Sequence, residues 1–243
     1  MRRGARTWGL AAAAALALAG AAAIAVTSRD ASRAVSPRPE SERPPLLLVT
    51  SLPLVFAEEF TLKSGSSPAL QALDNRYRVV PIGTTDSASL RQAKLLLMAH
   101  PLAQPAEDLV ALDQWVRGGG RILLLADPRL DWPSERPLGD KLRPPPAFAD
   151  TGLLLHWGLR LEAPEQSSVE QRSLGSRTIQ TASPGALTGA CQIAVDRLVA
   201  HCRIGKGQAT VIADADFLNV ERFGDEGSSN LQALLAELGR LEH

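Results

Sequence analysis

The chain has no excess of either charge, since 26 Lys and Arg balance 26 Asp and Glu. A nucleic-acid binder needs a basic face to displace counterions from phosphate, so nucleic acid is not an expected partner. Aromatic residues make up only 4% of the chain, which leaves few platforms on which bases or sugars can stack. No G-x-S-x-G elbow occurs, which excludes the serine-hydrolase arrangement. The four histidines show no H-E-x-x-H or other ligand spacing, so no metal and no cofactor is expected. After the N-terminal segment no second apolar run of membrane-spanning length follows. The C-terminus at His243 is therefore expected on the same side of any membrane as the body of the chain.

What the chain does have begins at its N-terminus. Arg2, Arg3 and Arg6 form a basic head, and an uncharged, alanine-rich run follows from Thr7 to Ser28. That length suffices to cross a bilayer as a helix, which takes about 20 residues. Residues 1–26 therefore read as a signal anchor or as a cleaved signal peptide, with residues 8–26 in the inner membrane. The basic head stays cytoplasmic by the positive-inside rule, which puts the rest in the periplasm or extracytoplasmic space. Cleavage instead would release the domain to the periplasm. Residues 27–45 combine Pro, Ser and both charges with almost nothing apolar, and are expected to be a disordered tether.

From residue 46 to 243 short apolar runs alternate with helical patterns, which predicts an α/β domain. Leu46–Thr50, Lys94–Ala99 and Arg121–Ala126 read as strands covered on both faces. Tyr77–Ile82 reads as an edge strand, because Pro81 cannot donate to a ladder. Ser67 and Pro68 open a helix to about Asn75, and Pro105–Arg117 is the clearest helix, stopped at Gly118. Strand-helix alternation of this kind predicts a mostly parallel sheet with helices on both faces. A proline-rich loop over residues 128–146 follows, then a short helix between Asp150 and Trp157. Residues 163–190 look irregular apart from a strand near Arg177–Thr181. A final helix is expected to be capped by Ser229 or Asn230 and to bury Leu231, Leu234, Leu235 and Leu238.

Between these lies a change of period. Folding the chain about Asp196-Arg197 sets Val195 opposite Leu198, Ile193 opposite Ala200 and Cys191 opposite Cys202, with all of them on one face. An exported protein sits in an oxidising compartment, so Cys191 and Cys202 are expected to form a disulfide; the alternative is two reduced cysteines buried as small hydrophobes. A strict two-residue turn would make them a hydrogen-bonded pair about 5.5 Å apart, the less comfortable spacing for a bridge. The sequence from Gly205 then turns into a strand, Gln208–Ala213.

Two segments carry a resemblance. Leu112–Pro128, LDQWVRGGGRILLLADP, resembles the helix-glycine-strand-Asp-Pro segment of the auxiliary component of ABC-type transport systems, the family that includes gliding-motility subunits. Gly205–Leu235, with its Asp-x-Asp-Phe-Leu-Asn pattern, resembles the C-terminal block of a related bacterial domain family of unknown function. The resemblance spans most of residues 46–240. It implies a flavodoxin-like, class I glutamine-amidotransferase-like fold, and as partners an ABC transporter or envelope-assembly proteins. It implies no catalytic residues.

An amidotransferase needs a nucleophilic cysteine on a strand-to-helix elbow, and both cysteines here lie in a hairpin. The expectation is a non-enzymatic accessory domain. Gly118-Gly119-Gly120 follows a helix and precedes a strand, the reverse of a pyrophosphate cradle, and reads as a helix stop. In open parallel sheets ligands bind at the carboxyl ends of strands. The candidates there are Glu58 and Glu59 after the first strand, His100 after the third, Asp127 after the fourth, and Asp214 and Asp216 after the last. Such carboxylates serve either a small-molecule, glycan or metal site (or a hydrolase), or the local capping of turns. Trp115 and Trp157 are expected as core or interface anchors, and Trp132 is expected as an exposed partner contact.

Overall fold

The computed structural model of the protein describes residues 34–55 and 66–243. The expected signal or anchor segment, and Glu58 and Glu59, lie outside the described residues. No helix among the described residues is long and apolar enough to cross a membrane.

Residues Ser36–His243 form one compact unit. Its centre is a seven-stranded sheet made of β1 (Pro45–Thr50), β2 (Arg78–Pro81), β3 (Leu95–Ala99), β4 (Arg121–Leu125), β9 (Gln192–Ile193), β10 (Val199–Ile204) and β11 (Gly207–Ile212). The strand order is β2-β1-β3-β4-β11-β10-β9. The first five run parallel; β10 adds antiparallel to β11, and β9 antiparallel to β10. The central strands β1, β3 and β4 are largely apolar runs because both faces are covered. Leu47, Val49, Leu96, Met98, Ile122, Leu124 and Val211 face one core with Leu112 and Val116 of α3 (Ala106–Arg117) and Leu90 of α2 (Ser87–Leu90). The alternate residues are buried towards α1 (Pro68–Asp74) and α6 (Asp225–Leu241).

Local signals position these elements. The Ser67 hydroxyl accepts from Leu70 N–H at 3.1 Å, with Pro68 in the first turn of α1. Gly119 takes a φ of 109° where α3 ends. Gly207 packs so closely that a Cβ would stand 2.0 Å from the Val116 carbonyl oxygen.

The hairpin register is the expected one, with Ile193 opposite Ala200, and Cys191 and Cys202 form a disulfide. The turn differs from expectation. Ala194 N–H donates to the Val199 carbonyl, and Arg197 adopts a φ of 61°, which makes a four-residue loop of Val195–Leu198. This loop exposes Val195 fully and reverses the hydrogen-bond phase. The cysteines consequently sit at a non-hydrogen-bonded pair, 4.9 Å apart at Cα, the closer spacing that suits a bridge.

Two further readings are corrected. Residues 163–190 are not irregular, because β6 (Val169–Leu174) pairs with β7 (Arg177–Ala182), and β8 (Ala186–Gly189) pairs with β5 (Leu159–Glu162). These strands are polar since they form two-stranded ribbons with one wet face. The short helix expected between Asp150 and Trp157 is present as a single turn, α4 (Leu153–His156). Asn230 does not cap α6, which begins at Asp225, five residues earlier; it lies inside the helix and is fully buried. There its amide accepts from Gln180 N–H at 2.8 Å and donates to the Gln180 and Phe217 carbonyls. Within the segment expected to be a tether, the described residues are fastened from Ser36, whose carbonyl accepts from the Arg76 guanidinium at 3.1 Å. Arg38 N–H bonds to the Asn75 carbonyl, the Arg38 guanidinium pairs with Glu242 at 2.6 Å, and the same carboxylate accepts from Tyr77 Oη at 2.6 Å. Trp157 is in the core as expected, donating its indole N–H to Asp113, while Trp115 is half-buried.

Candidate functional site

The carboxyl ends of the parallel strands form two different surfaces. At the β4–β11 end, main-chain pairing continues past the strands, with Ala126 N–H donating to the Ile212 carbonyl at 2.8 Å. This carries Asp127 and Asp214 to adjacent positions, and a short 3-10 turn over Asp216–Leu218 brings Asp216 back beside them. One oxygen from each of the three carboxylates lies within 4.8 Å of the others, and all three residues are completely buried.

Asp127 accepts from Arg129 N–H at 2.8 Å through Oδ1 and from Ala215 N–H at 2.9 Å through Oδ2, with Asp216 N–H as a further donor. Asp214 Oδ1 accepts from the Thr181 hydroxyl at 2.5 Å and from Phe217 N–H at 3.2 Å. Asp216 Oδ2 accepts from Asp131 N–H at 2.9 Å. Asp214 Oδ2 and Asp216 Oδ1 are buried with no hydrogen-bond partner. Capping therefore accounts for both oxygens of Asp127 but for only one each of Asp214 and Asp216, which leaves two oxygens over.

Burial, reinforced by neighbouring carboxylates, pushes all three acids upward. Loss of solvation raises Asp127 to about 6 and Asp216 to about 8, and holds Asp214 well above the usual carboxylate range. Three adjacent carboxyl groups in so dry a place cannot all be anionic without a neutralising partner.

The proline-rich loop roofs this cluster. Phe148 N–H donates to the Asp127 carbonyl, Leu130 N–H to the Pro146 carbonyl, and Arg222 clamps Asp131 through its carboxylate at 2.8 Å. His100, expected beside the carboxylates, is not one of the three-member group. Its Nε2 lies 2.8 Å from the Pro145 carbonyl, which can only accept, so this nitrogen carries the proton. His100 is buried at a φ of 47°, and burial depresses its pKa. It fastens the roof. Trp132 is half-buried within the same loop rather than exposed, against Leu130 and Pro145 in a small hollow.

At the β1–β2 end the surface formed by the described residues is open. A cleft of about 610 Å³ lies beyond the carboxyl ends of these strands, beside the point where strand order reverses between β1 and β3. Its walls include Leu52, Ile82, Leu102 and Leu142, with Arg136 and Lys141 from the proline-rich loop. Leu102 is 50% and Leu142 67% exposed, so apolar surface faces solvent here. Arg136 pairs with Asp140 at 3.6 Å. None of these residues was singled out in the sequence. The one available signal was topological, namely the position of Ser51–Pro53 immediately after the first strand.

No protein-family model and no curated protein matches the chain. Among solved structures it is similar to an exo-β-1,4-mannosidase, Op5Man5, from Opitutaceae bacterium strain TAV5, at 13% identity over 88% of this chain and 38% of that one, with a TM-score of 0.48. It is also similar to the mmIFT52 N-terminal domain, at 15% identity over 79% of this chain and 95% of that one, TM-score 0.48. A β-galactosidase from Bacillus circulans sp. alkalophilus matches at 13% identity over 83% of this chain and 31% of that one, TM-score 0.43. The chain spans well under half the length of these two glycosidases, and likeness of this degree assigns no activity to it.

Proposed function

We propose that this is a non-catalytic, extracytoplasmic binding domain, tethered through its N-terminal segment, that serves as the accessory component of an envelope machine such as an ABC-type transport system. The observation that carries the proposal is the apolar cleft at the carboxyl ends of β1 and β2. The order of the five parallel strands supports reading the domain as flavodoxin-like, with an amidotransferase-like layout, and in that layout the reversal of strand order beside β1 is where ligands sit. The disulfide supports an oxidising compartment. With both thiols consumed in that bridge, the nucleophile of an amidotransferase is missing. The occupant that fits the cleft is an apolar segment of a partner protein bearing a carboxylate, which Arg136 and Lys141 would meet at the rim.

Site-specific photo-crosslinking in native membranes tests this. A photoreactive residue at Leu142 should trap one partner reproducibly, while the same group at Val195, on the exposed hairpin loop, should not. Lys141→Glu should weaken the Leu142 adduct. Equal labelling from both positions, or none from Leu142, contradicts the proposal.

A further inference from the structure

The three roofed carboxylates do not belong to the cleft, and their arrangement leaves a specific deficit. Asp127 accepts at both oxygens, from Arg129 and Ala215, whereas Asp214 accepts from Thr181 and Phe217, and Asp216 from Asp131, at one oxygen each. Donors of this kind favour the charged form of a carboxylate. Yet Asp214 Oδ2 and Asp216 Oδ1 are buried and accept nothing, a costly state for a carboxylate oxygen in a dry interior. Arg222, the guanidinium in this region, bonds to Asp131 rather than to any of the three. The cluster therefore has anionic oxygens in excess of its donors.

We infer that Asp127, Asp214 and Asp216 hold a hard divalent cation of the calcium type, bound where one oxygen of each carboxylate lies within 4.8 Å of the others. Ligand oxygens at about 2.3–2.6 Å from one calcium ion lie no more than about 5 Å apart. The oxygens here, all within 4.8 Å of one another, fit that sphere. A ligand set made only of oxygen selects hard cations over zinc or copper. Magnesium keeps several of its waters, whereas calcium accepts a shell of protein oxygens, and complete burial of all three residues suits the ion that sheds water. The ion links β4, β11 and the turn carrying Asp216. Because Asp131 N–H bonds to Asp216, it also fixes the proline-rich loop over the strand ends. Its role is structural: it holds the roof that supplies Arg136 and Lys141 to the cleft.

The test uses the full chain in detergent, stripped with chelator and then titrated with Ca2+ or with Mg2+. Ca2+ should raise the Tm saturably by about 5–10 °C at a hundredfold excess over its Kd, with Mg2+ weaker, and elemental analysis should find close to one equivalent retained after gel filtration. Asp216→Asn and Asp214→Asn should each abolish the Ca2+ response. Asp216→Asn should also leave the cation-free Tm equal to or above that of the stripped wild type, since it removes a repelling charge. Should either variant fail to fold, the wild-type titration and metal content decide alone. A wild-type Tm indifferent to Ca2+ with no metal retained, the carboxyls being neutralised by protons only, overturns the inference. So does an undiminished Ca2+ response in a folded Asp216→Asn, which would place the ion elsewhere.

Discussion

The two ends of one sheet edge differ in what they do with polar groups. At the β4–β11 end, three acidic side chains are taken fully out of water and tied to main-chain donors beneath a pinned loop. At the β1–β2 end, apolar side chains are left in water beside two cations. Both arrangements cost free energy in isolation, the first through desolvation and the second through exposed hydrocarbon. A fold retains the first where the groups are neutralised and the second where a partner covers it. The same loop, residues 128–146, builds the lid of one and the wall of the other.

Substitutions should reveal that difference as a gradient in stability. Phe217 is fully buried, and its N–H is one of the donors to Asp214. Phe217→Ala should cost about 3–5 kcal/mol in urea unfolding, the largest effect expected. Removing the bridge by Cys191→Ser with Cys202→Ser should cost about 3 kcal/mol, from the chain entropy of the short loop it closes. Asn230→Ala strips three hydrogen bonds from β7 and the Phe217 turn and leaves their groups dry, at about 2–3 kcal/mol. At the open end, Leu142→Asp should change stability by no more than about 0.5 kcal/mol while abolishing capture of a partner. A stability loss at Leu142 comparable to that at Asn230 would erase the distinction between the two ends.

The roof also carries a pH signature. His100 is neutral in the folded protein because burial depresses its pKa below the ordinary value of 6.5. A base with a depressed folded pKa contributes stability that is present above its unfolded pKa and is lost as pH falls through the folded value. The carboxyl cluster has the opposite sign, since acids raised by burial favour folding as pH falls. The comparison of wild type with His100→Gln isolates the histidine. Between pH 7 and pH 5 the wild type should lose stability relative to the variant, by calorimetry at each pH. A constant difference across that range would mean that His100 is not held neutral.

How much of this was legible follows from what generates each signal. β1, β3 and β4 declare themselves because strands covered on both faces must be apolar throughout, as Leu46–Val49 is. The register of β9 and β10 was legible because a slip by one residue would have turned Ile193 and Ala200 outward. The loop between them was not, because the left-handed conformation falls on Arg197, a residue with no special preference for it. β6 is hidden by its polarity, having only one covered face, whereas β7 matches the strand expected near Arg177–Thr181. Asn230 read as a cap because Asn favours helix starts; its actual partners lie on β7, fifty residues away in sequence. The strand-end aspartates were found from topology alone. Their closure was not, because the roof is an aperiodic proline-rich segment whose contacts are entirely tertiary. The cleft assembles from four separated segments and leaves no local pattern.

Amide hydrogen exchange at two carboxylate-bonded amides tests the central contrast most directly. Ala215 N–H donates to buried Asp127 at 2.9 Å, and Leu142 N–H donates to Asp140 at 2.8 Å in an exposed turn beside the cleft. With the same chemical bond in both places, Ala215 should exchange only through global unfolding, and Leu142 by local opening several orders of magnitude faster. Exchange at Ala215 as rapid as at Leu142 would show that the carboxylates are open to water, and the account of a sealed site beside an open one would fail.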